Sequence, residues 1–213
     1  MIGKKKGKRL AKARPLDQKA TWFRWSPKIK AEVRMVAHQR DLADWAEARP
    51  EVVSFEFGGM EIPLPGHHPK SIAVDMRVVY GNGVQGAVVY LGQAKQEDPL
   101  RTAICAQSEK LHLDVVILDQ DHFQKNAPYY RTWRQMVRYL HRREDPSRMP
   151  AIDQILALFD GKQKYRLDAV AMKLKLDPYT TAICVAYLVH GGQLAMDTSD
   201  GVYDAATQIW RPQ

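Results

Sequence analysis

The chain is poor in cysteine and has no long apolar run, and both features narrow the class of protein. Its 213 residues include only two cysteines, Cys105 and Cys184, which lie far apart within helix-like patterns. Two isolated cysteines argue against a disulfide-rich scaffold or a zinc site and are typical of reduced core residues. No run approaches the roughly 18 apolar residues that a transmembrane helix needs. We therefore expect a globular cytoplasmic protein without a membrane partner.

Acidic residues are scarce at the amino-terminal end. The formal net charge is +8, yet residues 1–30 contain eleven Lys or Arg and one acid, so they carry +10 and the rest sums to −2. No apolar stretch follows the first cations, so a secretory signal is not expected. We expect residues 1–21 to be a basic arm, disordered when free, that binds a DNA backbone; a solubilising tail or a contact with an acidic protein is the alternative. Its cations are Lys4, Lys5, Lys6, Lys8, Arg9, Lys12 and Arg14.

Two stretches joined by a glycine-rich turn have the patterns of adjacent β-strands. Large apolar residues alternate with others over residues 72–79, and residues 87–95 are rich in β-branched and aromatic side chains. Pairing would bring Asp75 near Gln93 and Lys95, which lie on one face of their strand. A carboxylate, an amide and an amine can together hold a divalent metal ion and stabilise charge on a phosphate. A surface ion pair between Asp75 and Lys95 is the alternative.

The other patterns of residues 22–145 predict an α/β domain. A helix is expected from Lys28 to about Ala48, because Ser26-Pro27 is a typical helix start. The apolar run 114–119 follows a predicted helix, which indicates a strand that returns parallel to the sheet. The remaining predicted elements are strand 52–57, its short partner 60–64, helix 96–112 and helix 127–143.

The last predicted helix of this domain carries a basic stripe. Arg131, Arg134, Arg138 and Arg142 recur at helical spacing beside its apolar side. Such a stripe is either a solvated face or a surface that contacts DNA.

Residues 146–213 change pattern after a linker-like segment and predict a second, smaller domain. Three short helices (152–159, 167–176 and 178–190) precede two strand-like pieces, an order that favours a winged helix. Seven Lys or Arg balance seven Asp there, and the third helix contains no Lys or Arg. Because a helix without cations is a poor reader of DNA, we expect this domain to contact protein.

The order of these elements resembles the core of the PD-(D/E)xK nucleases. More narrowly, it resembles TnsA, the subunit of heteromeric transposases that cuts the 5′ ends of the transposon. The matching segments are RPEVVSFEF, Gln93-Ala94-Lys95, and VILDQDHF with the helix that follows it. The similarity runs from about Ile29 to the end of the chain.

This resemblance implies an α/β fold with a restriction-endonuclease-like mixed sheet flanked by helices, plus a small C-terminal winged-helix domain. It implies a DNA endonuclease dependent on Mg²⁺ (or Mn²⁺), with Asp75, Gln93 and the carbonyl of Ala94 as metal ligands. Lys95 would orient or deprotonate water. The implied partners are DNA, a DDE-type transposase subunit and an AAA+ ATPase regulator.

One position departs from the family pattern. The family has a catalytic glutamate on the first helix, and the spacing from Pro50 places Gln39 there. Either Gln39 acts as a neutral ligand, or Glu32 two turns earlier serves, or this motif is lost. Two other functions therefore stay open: a non-catalytic DNA-binding or assembly protein of nuclease fold, and a phage DNA-processing (head-completion) nuclease.

Overall fold

The computed structural model describes residues 22–66, 70–93, 98–140, 147, 149–161 and 163–212. The predicted basic arm and the predicted domain boundary at 145–146 lie outside these residues. In chain order the elements are β1 (Trp22–Ser26), β2 (Ala31–Met35), α1 (Ala37–Glu47), β3 (Val52–Phe57), β4 (Glu61–Pro63), β5 (Ser71–Ala73), β6 (Met76–Tyr80), β7 (Gln85–Tyr90), α2 (Pro99–Leu111), β8 (Asp114–Leu118), α3 (Gln120–Lys125), α4 (Ala127–Leu140), α5 (Ala151–Leu158), β9 (Tyr165–Arg166), α6 (Leu167–Leu174), α7 (Pro178–His190), β10 (Ala195–Met196) and β11 (Gln208–Trp210).

A mixed four-stranded sheet with helices on both faces forms the centre of the larger part. Its strand order is β3-β6-β7-β8; the first two pairs are antiparallel and β7-β8 is parallel. A parallel neighbour needs a crossover, and α2 provides it, as the sequence predicts. Alternate residues of β7 face opposite layers: Val88 packs with α1 and α4, whereas Ala87 and Val89 pack with α2 and the β4-β5 hairpin. The predicted mixed sheet flanked by helices is confirmed.

The predicted first helix is wrong over its first half. Residues 22–35 form an antiparallel hairpin, and the helix begins only at Ala37. Ser26-Pro27 starts a turn instead, because these residue types also suit the first two positions of a β-turn. The Ser26 hydroxyl accepts a hydrogen bond from the Ile29 N–H (3.2 Å), and Lys30 closes the turn with a φ of 55°.

The two strands predicted around the glycine-rich turn are shorter than expected. The first breaks at Val74-Asp75 into β5 and β6, and β5 pairs with β4, which was expected to pair with β3. The second ends at Tyr90, so Gln93 lies beyond the strand rather than on it. A positive φ of 63° at Gly92 turns the chain away from the sheet, which ends the period-2 alternation.

The C-terminal part contains the three predicted helices and a small antiparallel sheet of order β10-β11-β9. The strand β9, between the first two of these helices, was not predicted. Helix α7 is almost completely buried from Thr181 to Val189 and contacts α4, α5 and α6. This burial explains why α7 carries no Lys or Arg. Among the residues described, no helix is long and apolar enough to cross a membrane.

Buried residues of both parts form one continuous hydrophobic cluster. A polar contact also joins them: Glu47 of α1, 1% exposed, lies 2.9 Å from the Nε2 atom of His190 on α7. The Ser26 hydroxyl donates a second hydrogen bond to Glu47. One buried carboxylate therefore links the N-terminal hairpin, α1 and the C-terminal helices.

Candidate active site

Asp75 occupies the point where the chain changes sheet partners between β5 and β6. Its N–H donates to the Val88 carbonyl (3.0 Å), and its carbonyl accepts from the Gly58 N–H (2.9 Å), so the backbone is held from both sides. The Tyr90 N–H donates to Oδ2 of Asp75 at 2.7 Å. A hydrogen bond to an ionised carboxylate is strong and fixes its orientation. With 22% of its side chain exposed, Asp75 presents its other oxygen, Oδ1, to a neighbour on the first helix.

That neighbour is His38, which sequence reasoning missed. Its Nε2 atom lies 3.5 Å from Oδ1 of Asp75, and 43% of its side chain is exposed. The His38 ring stacks on the Tyr90 ring, with centroids 6.0 Å apart and planes 5° apart. A signal was present, because His38 precedes the fully buried Leu42 by one helical turn and therefore shares its face.

The two residues expected to complete the site from the first helix have other positions. Gln39 is the third residue of α1, and its Oε1 atom accepts a hydrogen bond from the Val36 N–H (3.0 Å), which caps the helix. Glu32 is not helical; it lies exposed on β2, opposite Trp25. Within the described residues, neither Gln39 nor Glu32 forms a hydrogen bond or an ion pair with Asp75.

The predicted Gln93-Ala94-Lys95 motif is described only at its first residue. Gln93 is exposed, three residues past the end of β7. Hydrogen bonds from Leu91 N–H to the Leu118 carbonyl (2.9 Å) and from Gln120 N–H to the Gly92 carbonyl (2.8 Å) hold the preceding segment against the end of β8. Ala94 and Lys95 lie outside the described residues. The backbone carbonyl of Ala94 as a metal ligand and the ammonium group of Lys95 in the site therefore stay predictions.

An aromatic cavity of about 300 Å³ opens beside Tyr90, the residue whose N–H binds Asp75 and whose ring stacks on His38. Tyr90, Phe123 and Tyr130 contribute rings to its lining, and Asp41 and Asp44 line its other side. Burial, with the carboxylates of Asp41, Asp119 and Asp75, raises the pKa of Tyr90. Burial also raises the pKa of Asp41 despite the adjacent Arg40.

The predicted arginine stripe divides into two kinds of residue. Arg134 is part of the structure: its guanidinium binds the almost fully buried Asp44 (Nε to Oδ2, 2.9 Å), which Arg24 also contacts. Arg131 and Arg138 are exposed on α4. The two exposed arginines have their guanidinium groups available to a phosphate backbone.

The donor atoms near Asp75 suit a divalent cation with few protein ligands. Asp75 Oδ1 and His38 Nε2 converge, and Gln93 follows the strand whose last N–H binds Asp75. Within the described ranges no group of three or more His, Cys, Asp or Glu side chains is placed to hold a metal ion. A cation here would keep water molecules in its remaining positions, as Mg²⁺ commonly does.

Comparison with known protein families gives no match, and comparison with curated proteins gives no significantly similar sequence. The functional interpretation therefore depends on the fold, on the site around Asp75 and on the motifs of the sequence.

Proposed function

We propose that this protein is a metal-dependent DNA endonuclease that resembles TnsA and cuts 5′ transposon ends within a heteromeric transposase. The observation that carries the proposal is the convergence of Asp75 and His38 at the end of the two central strands, β6 and β7, of the β3-β6-β7-β8 sheet. The element order around it supports a restriction-endonuclease-like fold: α1 precedes β3, and α2 crosses from β7 to β8. This is the order that the resemblance to the PD-(D/E)xK nucleases implies.

The positions of Asp75 and His38 fit the roles proposed for them, whereas the roles of Ala94 and Lys95 follow from the resemblance alone. Asp75 would hold the metal, and the Tyr90 N–H keeps its carboxylate oriented. His38 takes the place that the family gives to a glutamate, as a ligand or as the base that receives a proton from water. As the resemblance implies, Gln93 and the carbonyl of Ala94 would supply further oxygen ligands, and Lys95 would stabilise charge on the phosphate. A bound divalent ion would act as a Lewis acid toward the scissile phosphate and lower the pKa of a water molecule.

The presence of an imidazole donor affects the choice of metal. Mg²⁺ strongly prefers oxygen ligands, whereas Mn²⁺ accepts both oxygen and imidazole nitrogen. A site built from one carboxylate and one histidine therefore favours Mn²⁺ more than the two-carboxylate site of the family pattern would. We propose that the protein cuts DNA faster in Mn²⁺ than in Mg²⁺.

The C-terminal part supports a winged-helix domain that contacts a protein partner. Its order, α5-β9-α6-α7-β10-β11, with β9 and β10 on either side of β11, favours a winged helix. A cavity of about 590 Å³ opens between α6, the start of α7 and α4, and the side chain of Met172 beside it is 71% exposed. This apolar cavity is the surface we assign to the AAA+ ATPase regulator.

A non-catalytic DNA-binding or assembly role is the second candidate. The use of Gln39 as a helix cap, where the family has a glutamate, favours it. DNA cleavage assays separate the two: the protein with its transposase partner should nick transposon-end DNA in Mn²⁺, and Asp75→Ala should abolish nicking. Absence of cleavage with every metal and partner combination, from protein that still binds DNA, would favour the non-catalytic role.

A further inference from the structure

The N-terminal hairpin presents large aromatic side chains to solvent. Phe23 is 61% exposed and Trp22 is 39% exposed, although rings of this size are usually buried in a monomeric protein. The hairpin packs on α1 next to α4, and a groove of about 270 Å³ runs between them. Trp22, Phe23 and Trp25 contribute to the wall of this groove.

Arginines surround these rings. Arg40 of α1 lies over the Trp22 ring, 5.8 Å from its centroid, and Arg138 of α4 lines the same groove. Arg34 is the cross-strand partner of Phe23 and is exposed. Neither Arg34 nor Arg138 forms an ion pair with a residue that the structure describes. Arg24 is paired with Asp44 and Lys28 is half-buried, so the exposed charges of the hairpin are Lys30, Arg34 and one acid, Glu32. Together with Arg40 and Arg138, they leave this face with a positive charge that complements a negatively charged ligand.

We propose that this hairpin, residues 22–35 with Arg40 and Arg138, binds unpaired nucleotides of a DNA substrate. Phe23 and Trp22 stack on bases, and the arginines bind the adjacent phosphates. Aromatic rings interleaved with cations are the usual means of binding single strands without sequence preference. The base faces of a duplex are already stacked on one another, so a duplex would contact only the arginines.

The position of the hairpin connects this inference to the proposed nuclease site. Arg134 lines both this groove and the cavity beside Tyr90, whose ring stacks on His38, so the two openings adjoin at one side chain. The inference rests on the proposed function only in naming the substrate. Cleavage of one strand of the proposed substrate would free an end, and the hairpin would hold the unpaired nucleotides there.

Single-strand binding should be measured without divalent ions, so that no cleavage occurs. The probe is an oligothymidylate of about 12 nucleotides, within the usual range of site sizes, and the comparison is a blunt duplex. Trp22→Ala and Phe23→Ala should each weaken single-strand binding about tenfold, the usual order for loss of one stacking ring, and leave duplex binding within about twofold. Leu111→Ala, which truncates another exposed apolar side chain, should bind both probes as the wild type does.

Two further variants separate stacking from apolar contact. Phe23→Trp keeps a flat ring and should retain single-strand affinity, whereas Phe23→Leu keeps apolar bulk and should lose it. Full affinity in Phe23→Leu would overturn the proposal, even if Phe23→Ala failed to fold. A dimer in sedimentation that Phe23→Leu dissociates, with unchanged affinity for DNA, would assign this face to a second copy of the chain and also overturn it.

Asp75→Ala keeps the two proposals distinguishable. It should bind the oligothymidylate as tightly as the wild type while losing cleavage. If the wild type cuts DNA and a variant without the Phe23 ring binds DNA as well as the wild type does, the hairpin inference alone is refuted. A wild type that binds through the hairpin but never cuts would refute the nuclease alone.

Discussion

His38 Nε2 lies 3.5 Å from Oδ1 of Asp75, and this contact joins the first helix to the end of the central strands β6 and β7. In the proposed nuclease, this histidine would stand where the family pattern has a carboxylate. The site therefore combines one hard oxygen donor with one nitrogen donor, and its activity should depend on both.

Replacing His38 should reduce DNA cleavage and change the metal preference. We expect His38→Ala to lower the nicking rate by about ten- to a hundredfold, the usual effect of losing a group that supports a metal site. The ratio of Mn²⁺ to Mg²⁺ activity should fall, because the nitrogen donor is lost. Single-turnover nicking of labelled DNA measures both quantities.

Glu32→Gln is the matched control for that experiment, since Glu32 is exposed on β2. It should cut no more slowly than the wild type, since loss of an acid from the hairpin does not weaken its attraction for DNA. Equal losses in His38→Ala and Glu32→Gln would contradict the assignment of His38 to the site.

The buried Glu47 should stabilise the joint between the two parts of the chain. Glu47→Ala removes the partner of Ser26 and of His190 inside the core, so we expect a loss of about 3 kcal/mol in the free energy of unfolding. Glu56→Ala removes an exposed ion pair with Arg77 and should cost less than about 1 kcal/mol. Urea denaturation followed by tryptophan fluorescence gives both values, and similar losses would argue against a stabilising role for Glu47.

Lys28 should make stability rise with pH above neutrality. Burial lowers the pKa of Lys28 from 10.5 to about 8, partly offset by Glu47, while its amine donates to the carbonyls of Arg49 and Val52. Between these two pH values the unfolded chain binds more protons than the folded one, so the free energy of unfolding increases with pH. At 1.36 kcal/mol per pH unit the gain is at most about 3 kcal/mol.

Denaturation curves of the wild type and Lys28→Met between pH 8 and pH 10.5 isolate this contribution. The stability of the wild type relative to the variant should increase across the range. Parallel curves would show that Lys28 titrates alike in the folded and unfolded chain.

The basic arm should dominate the salt dependence of DNA binding. Replacing all seven cations between Lys4 and Arg14 by glutamine should reduce the slope of log affinity against log salt by up to about 6, at 0.9 for each phosphate contact. Fluorescence anisotropy with duplex DNA over a salt series measures the slope. An unchanged slope would assign the arm to another partner.

Sequence reasoning succeeded where one pattern had one structural meaning. The apolar run 114–118 after a helix predicts a parallel strand, and β8 has that position. It failed where a signal had two meanings: Ser26-Pro27 suits a helix start and a β-turn, and cross-strand pairing of Trp22–Ser26 with Ala31–Met35 favours the turn. Both interpretations fit the same few residues, and the packing of the hairpin against α1, which the sequence does not show, accompanies the turn.

The candidate site was predictable in part. Asp75 could be identified from its acidic side chain within an apolar strand, but the partner change at that residue depends on contacts with Gly58 and Val88. His38 was missed because the count back from Pro50 ends one position later, at Gln39. The predicted helix also begins nine residues before α1, which kept Glu32 as an alternative. The correct start of α1 moves Glu32 off the helix and leaves His38 in its first turn.

The hydrogen bond from Tyr90 to Asp75 comes from the peptide group, and this has a consequence for how the protein can evolve. Any amino acid except proline supplies the same N–H, so position 90 can vary without releasing the acid. Such variation would change the aromatic ring that stacks on the His38 imidazole. A substitution at position 90 would therefore change the surroundings of His38 and keep the hydrogen bond that orients the Asp75 carboxylate.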